Sequence, residues 1–416
     1  MLTRFNSLLR NNYAIISNYA HMTILQIVNT FFYLLIYPFV LGVVGLEAFG
    51  LYVFFSSIIA YFSVIINFGF DMHAAKVVSL GDNYEHSKIL SLVTLGKSIL
   101  FLSCVVLFLG LIYSFDIFKN NKELFVFCFI NCVSSIFLHS WFFQGKQKMK
   151  YLTVIQLLFK VVSLPFMYVF LEKADDIYIY ALIISLANVG SAIVSYLFIY
   201  YKFDVQLVSS STREVFSLFV EVKHFFWSAA ANAFKQKSIE IIIGALFGMK
   251  VLAIYDLANK IYSVPSLLVS NINAALFPKM VGLPVGLLAK RIIIIESLLA
   301  IVAIFSVVVF GYYVVDILSE DKLIDAYYVA IIMSFNIVTY LVVGACIYFI
   351  FIPKMMYDLV FRNQIVSFVS FYVICSLLLF FYESMYSVVL SMVLAGFAEI
   401  LFCFYQIKKR KLLSQY

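Results

Sequence analysis

Charge is the scarcest property of this 416-residue chain. Asp, Glu, Lys and Arg make up 12% of it and hydrophobic residues 64%, where a soluble domain has about 25% charged and about 45–50% apolar. That deficit excludes a single water-soluble core, because a chain of this size cannot hide so much apolar surface, including 45 Phe and 29 Tyr. A bilayer removes the difficulty, since outer helix faces need not be wetted. Short alternating apolar and polar segments are also missing, which excludes an outer-membrane β-barrel. Helices are the remaining way to satisfy backbone groups in hydrocarbon.

Chemistry-bearing motifs are equally sparse. The cysteines, Cys104, Cys128, Cys132, Cys346, Cys375 and Cys403, all fall in apolar runs without metal-like spacing. Cys128 and Cys132 share a helix face and read as packing residues. His21, His73, His86, His139 and His224 are scattered near interfaces, with no His-Glu-x-x-His and no nucleophile elbow. The full phosphate loop, Gly-x-x-x-x-Gly-Lys-Ser/Thr, is absent, since Gly96-Lys97-Ser98 has Ser91 in place of its first glycine, so ATP hydrolysis by that route is excluded, and so is a Gly-rich selectivity filter. No catalytic residue, cofactor or metal is expected.

What is present is a series of long apolar runs. A span needs about 20 mostly apolar residues. That window gives twelve: His21–Val44, Phe49–Phe70, Ile89–Tyr113, Leu124–Phe143, Leu152–Phe170, Ile177–Tyr200, Phe225–Phe247, Val251–Phe277, Ile292–Val315, Leu323–Ile352, Ile365–Tyr382 and Met385–Tyr405. The first run is too long for a signal-peptide core and reads as a span. With the N-terminus in the cytoplasm, the inside segments hold 19 basic residues and the outside loops five, a positive-inside bias that one missed span would destroy. The net charge of +7 is thus a property of the cytoplasmic face and does not argue for nucleic acid. The run Lys408 to Lys411 reads as a topology anchor that meets anionic lipid.

Outside loops such as Gly45–Glu47 and Gly248–Lys250 are little more than turns, so no extramembrane domain is expected. The chain divides into an N-terminal lobe over 1–200, a cytoplasmic linker over 201–224 and a C-terminal lobe over 225–416. Within the linker, Arg213–Val222 reads as an amphipathic surface helix with Val215, Phe216, Phe219 and Val220 as its apolar residues.

Ionisable residues at membrane depth are costly and usually face a bundle interior or a hydrated path. Here they are Lys97, Lys160, Lys235, Lys237, Glu240, Asp256, Lys260, Glu296 and Glu399, with Asp71 at the cytoplasmic end of the second span as a gating candidate. Glu296 and Glu399 lie within about two turns of the cytoplasmic side, and the bland expectation is that they snorkel there. Lys237 and Glu240 are three apart and Asp256 and Lys260 four apart, so each pair shares a helix face. A fixed ion pair explains such spacing. So does ion coupling through Glu240 or Asp256 beside substrate-holding Lys97, Lys160, Lys237 and Lys260. Amides including Asn29, Asn131, Asn188, Asn232, Asn259, Asn271, Asn273 and Asn336 are spread over the spans and favour a wet path. Asn232 and Asn259 join the candidate substrate residues.

Several stretches resemble a known family. They are Gly45-Leu-Glu-Ala-Phe-Gly50-Leu-Tyr, Ile66-Asn-Phe-Gly-Phe-Asp71, the turn at Gly248 followed by Ile254-Tyr-Asp-Leu-Ala-Asn-Lys260-Ile, and Ala274-Ala-Leu-Phe-Pro278-Lys. Their order within twelve spans is similar to that in the O-antigen repeat-unit flippases (Wzx type). Those belong to the multidrug/oligosaccharidyl-lipid/polysaccharide exporter superfamily. Gly45 to Tyr52 and Gly248 to Tyr255 also occupy equivalent places in their halves, which implies parallel repeats.

The resemblance implies an all-α polytopic membrane protein of two parallel six-helix lobes, a MATE-like alternating-access transporter of the bacterial inner membrane with both termini cytoplasmic. It implies transfer of undecaprenyl-pyrophosphate-linked oligosaccharide to the periplasmic leaflet, a cationic cavity for the pyrophosphate, and proton coupling. A polysaccharide polymerase and a chain-length regulator would be its partners. A small-molecule antiporter of the same superfamily would favour few interior lysines. A polymerase or ligase would favour a sizeable periplasmic loop, and a scaffold would gain little from buried charge.

Overall fold

The computed structural model describes residues 13–209, 211–280, 285–319 and 323–412, and within these gives no side-chain account of 13–20, 228, 232, 268–280, 285–290, 319 and 357. Arg4, Arg10 and Asp321 lie outside the described residues, as do the side chains of Asn232, Asn271, Asn273, Pro278 and Lys279.

All regular structure among the described residues is helical. In chain order the helices are α1 (Tyr13–Asn67), α2 (Phe70–Leu80), α3 (Asn83–Ser114), α4 (Asp116–Asn120), α5 (Lys122–Phe137), α6 (Ser140–Gly145), α7 (Met149–Phe170) and α8 (Ile177–Lys202). They continue with α9 (Thr212–Phe247), α10 (Met249–Met280), α11 (Val285–Ser319), α12 (Ile324–Ser334), α13 (Asn336–Cys346), α14 (Tyr357–Phe381) and α15 (Met385–Lys409). Nine described stretches are long and apolar enough to cross a membrane.

Those nine account for ten of the twelve expected spans. His21–Asn67 is a single stretch of 47 residues, and at 1.5 Å per residue it is about twice the hydrocarbon thickness. It breaks at Gly45 (φ 78°, ψ 168°), the first expected turn. A left-handed φ there suits a residue without Cβ. The stretches not among the nine are α9 and α10, which carry the expected seventh and eighth spans together with their charges.

Outer faces are oily rather than polar. Along α7, Leu152, Ile155 and Met167 are buried, while Leu158, Val162, Phe166 and Val169 stay exposed. A water-soluble helix would put charge on that second face.

The chain forms two compact units, one of 1–32 with 39–241 and the other of 33–38 with 242–416. In the first, Phe70, Val93, Trp141, Phe142, Phe143, Leu152 and Ile199 build one apolar core. Val215, Leu218 and Val222 at the start of α9 pack into that same core. The expected surface helix is therefore the first part of α9, which is continuous from Thr212 to Phe247. Its apolar residues divide: Val215 is buried and Phe219 packs beside it, whereas Phe216 and Val220 face outward. In the second unit, Phe349, Ile350, Phe351, Leu359, Ile400 and Cys403 form the core where α13, α14 and α15 meet.

Candidate functional site

In the first unit, the deepest charged group on α9 is Glu240, which is 6% exposed. Its neighbour one turn back, Lys237, donates to both carboxylate oxygens, at 2.8 and 2.9 Å. From α1, Ser57 contacts Glu240 Oε2 at short range. Ser57 Oγ also lies 2.7 Å from the Val53 carbonyl. A serine hydroxyl has one hydrogen, so two arrangements fit. With Glu240 ionised, Ser57 donates to it. With Glu240 protonated, the carboxyl donates to Ser57, whose hydrogen then serves Val53. The site accommodates either state without moving a heavy atom.

Lys160 stands on α7 with its ammonium 4.9 Å from the centre of the Phe32 ring. The face of an aromatic ring attracts an ammonium electrostatically. Lys97, on α3, was expected to line a cavity, but the structure encloses it completely. Its Nζ lies 3.6 Å from Asp71 Oδ1, and Asp71 sits in the first turn of α2 after the left-handed pair Phe68 and Gly69. Asn188 Nδ2 donates to Asn131 Oδ1 at 3.0 Å, which joins α8 to α5 through two of the expected amides.

In the second unit, Asp256 is 6% exposed and lies 3.6 Å from Lys260 on the same face of α10. Lys260 also lies over the Tyr33 ring, 5.2 Å from its centre. Beside it Tyr37 donates to the Ala253 carbonyl at 3.0 Å. Asn259 is half-buried next in sequence to Lys260.

Two acids depart from the snorkelling expectation. Glu399 accepts from Asn363 Nδ2 at 3.2 Å and from the hydroxyl of Ser367, both on α14. Glu296 is 1% exposed. A single-helix depth argument ignores the neighbouring helices, which here bury Glu296 and supply hydrogen-bond partners to Glu399. Sequence reasoning also missed Ser57, Phe32, Tyr33 and Ser367. Each meets its charged partner across at least 32 positions of the chain, and isolated serines and aromatics carry no signal in a run rich in both.

This helical arrangement belongs to a known class. A multidrug resistance MATE family transporter of the MOP superfamily, in an inward-facing conformation, matches with a TM-score of 0.67 and 12% identity, covering 96% of this chain and 99% of that one. The Lipid II flippase MurJ, in an inward closed conformation, matches with a TM-score of 0.73 and 14% identity, covering 95% of this chain and 87% of that one. The chain has the fold of MATE-type secondary transporters, and nine of its described stretches are long and apolar enough to cross a membrane.

In sequence, a protein named "Putative O-antigen transporter" from Escherichia coli (strain K12) is 23% identical over 289 residues, 69% of this chain and 70% of that protein. One of the same name from Shigella dysenteriae is 21% identical over 259 residues, 61% of this chain and 64% of that protein. Residues 15–283 match the family described as "Polysaccharide biosynthesis protein", and the chain belongs to that family.

Proposed function

We propose that this protein flips undecaprenyl-pyrophosphate-linked O-antigen or polysaccharide repeat units from the cytoplasmic to the periplasmic leaflet, driven by a proton gradient. One observation carries this reading: Lys160 and Lys260 are retained at membrane depth over aromatic rings. A pyrophosphate moving past apolar helices needs compensating positive charge, and lysine supplies a mobile point charge for it. Each unit offers its own cation, Lys160 in the first and Lys260 in the second, with Lys237, Asn232 and Asn259 as further polar contacts. Glu240 and Asp256 exchange the driving proton, each beside a lysine that offsets its charge.

The reading includes twelve spans in two parallel six-helix lobes, with both termini cytoplasmic. It takes 1–200 and 225–416 as lobes and 201–224 as their connection. A polysaccharide polymerase and a chain-length regulator act on the delivered units. The test is deletion in the native host followed by analysis of lipid-linked intermediates. Repeat units should accumulate on undecaprenyl pyrophosphate in the cytoplasmic leaflet, and their continued arrival in the periplasm at the normal rate would refute the reading.

A further inference from the structure

We propose that Asp71, Lys97 and His139 form a proton-uptake site inside the first unit, separate from Glu240, in which His139 Nδ1 takes the proton and Asp71 passes it in from water. The site begins with a hydrogen count. Thr94 Oγ1 donates to the Leu90 carbonyl at 2.7 Å, which uses its single hydrogen. The same oxygen lies 3.0 Å from His139 Nε2. With that hydrogen on Leu90, the oxygen accepts from His139, so Nε2 carries the ring hydrogen and Nδ1 of the neutral ring keeps a bare lone pair. His139 is fully enclosed, and Nδ1 is buried without a hydrogen-bond partner.

Two further polar atoms share that condition. Lys97 Nζ and Asp71 Oδ1 are buried and make no hydrogen bond, though they stand 3.6 Å apart. Lys97 is one turn beyond Thr94 on α3, close enough for its charge to act on the His139 ring. One donor and two acceptors left open in one place are a set that bridging water satisfies, and such groups in a folded protein call for an explanation.

Access and backbone fit the same role. The Asp71 side chain is 47% exposed although its Oδ1 is buried, so it joins the exterior to the enclosed atoms. Helical structure is interrupted on both sides of the cluster. Phe68 and Gly69 have φ of 42° and 74° before Asp71, and His139 occupies the gap between α5 and α6. Interrupted helices at membrane depth are tolerated where they are buried in protein or line water. At Gly69 a Cβ would meet the backbone nitrogen of Phe226 at 2.7 Å, so α9 closes over this break.

The ionisable groups around the ring come from each neighbouring helix. Asp71 comes from α2, Lys97 from α3 and Tyr196 from α8, whose ring lies 5.5 Å from that of His139. His73 on α2 is engaged by Glu221 of α9 at 3.2 Å, and His86 at the start of α3 lies 3.1 Å from the Val78 carbonyl. In the step itself Asp71 accepts a proton from hydronium in the bulk, which is left as water. That O–H bond then breaks as an N–H bond forms at His139 Nδ1, and Asp71 returns to carboxylate. The cluster gains one positive charge, which Lys97 opposes and which therefore favours later release.

The chain has two tryptophans, and Trp141 lies 5.1 Å from the His139 ring while Trp227 is exposed. In a Trp227→Phe background, Trp141 fluorescence of purified protein is titrated without substrate, so the result does not depend on the flippase reading. A quenching step should appear as pH falls, because an imidazolium against indole quenches it. His139→Gln should abolish the step, and Lys97→Gln should move it to higher pH by removing the opposing charge. His73→Gln and His86→Gln should leave it in place. Monodispersity of each variant by size exclusion separates loss of the step from loss of fold. A flat Trp141 titration, or a step that survives His139→Gln in folded protein, would overturn the proposal.

Discussion

At the scale of single residues, the chemistry rests on how a charge survives among apolar helices. Glu240 has a lysine and a serine hydroxyl, whereas Lys160 has a ring. Breaking a buried ion pair by removing one partner costs about 3–5 kcal/mol, because the other charge is left uncompensated. Lys237→Met should therefore reduce the yield of folded protein, and Lys237→Arg should restore it, as read by detergent thermal stability. Glu240→Gln removes the charge along with the titration. Lys237 is then left unpaired but is 35% exposed and open to water, so folded yield should fall less than in Lys237→Met, while pH-gradient-driven transport in vesicles should fall by about tenfold or more, the equivalent of about one pKa unit of free energy. Asp256→Asn should do the same in the second unit. Transport undiminished in both variants would show that the driving proton does not use these carboxylates. The sequence made the two pairs legible because three- and four-residue spacing is a local signal. Ser57 and the Phe32 ring were hidden because only tertiary packing brings them to Glu240 and Lys160.

At the scale of elements, two glycines turn a sequence echo into geometry. Gly45 and Gly248, read as equivalent turns, have φ of 78° and 88°. A Cβ at either would meet nothing within 4 Å, so any cost of Gly→Ala comes from the backbone alone. A residue with a Cβ held at such a sparsely populated positive φ costs roughly 1–3 kcal/mol. Gly45→Ala and Gly248→Ala should each lower thermal stability by that order. Gly110→Ala, in an equally open position without positive φ, should be neutral or slightly stabilising.

The start of α9 supports a pH prediction. Ser211 and Glu214 form a capping box, with Glu214 Oε2 accepting from Ser211 N at 3.0 Å, while Lys88 holds Oε1 at 2.7 Å. The bond from Lys88 is the main cause holding the Glu214 carboxyl below its usual value, and the Ser211 amide adds to it. A depressed folded value means the contribution is full above the unfolded value near about 4.3 and is lost as pH falls through the folded one. Glu214→Gln should flatten the acid limb of the stability curve by a small amount, since the pair is solvent-screened. The amphipathic stretch Arg213–Val222 was legible in the sequence as a helix, whereas the capping box at Ser211 that starts it emerged only from the structure. That this helix runs on unbroken to Phe247 was not legible, because its charges mimic a break between a surface helix and the next apolar run.

At the scale of the whole molecule, composition sufficed for class: long apolar runs, few charges and basic residues gathered on one side of the threading. The threading itself makes a prediction. Reporter fusions at Asp176 should behave as periplasmic and fusions at Lys148 as cytoplasmic, and the opposite result at either site would shift the register of every later span. Exterior helix faces were legible for the same reason that core faces were not, since apolar residues cover both and periodicity cannot separate lipid from protein.

The flippase reading is tested most directly by reconstitution. Purified protein is placed in vesicles with undecaprenyl-pyrophosphate oligosaccharide confined to one leaflet, and headgroup exposure on the other side is followed with a membrane-impermeant sugar-binding probe under an imposed pH gradient. The account predicts protein-dependent appearance of headgroups, faster with the gradient and abolished by neutralising Lys160 and Lys260 together. Headgroups that stay in their original leaflet in the presence of folded, correctly inserted protein would contradict it.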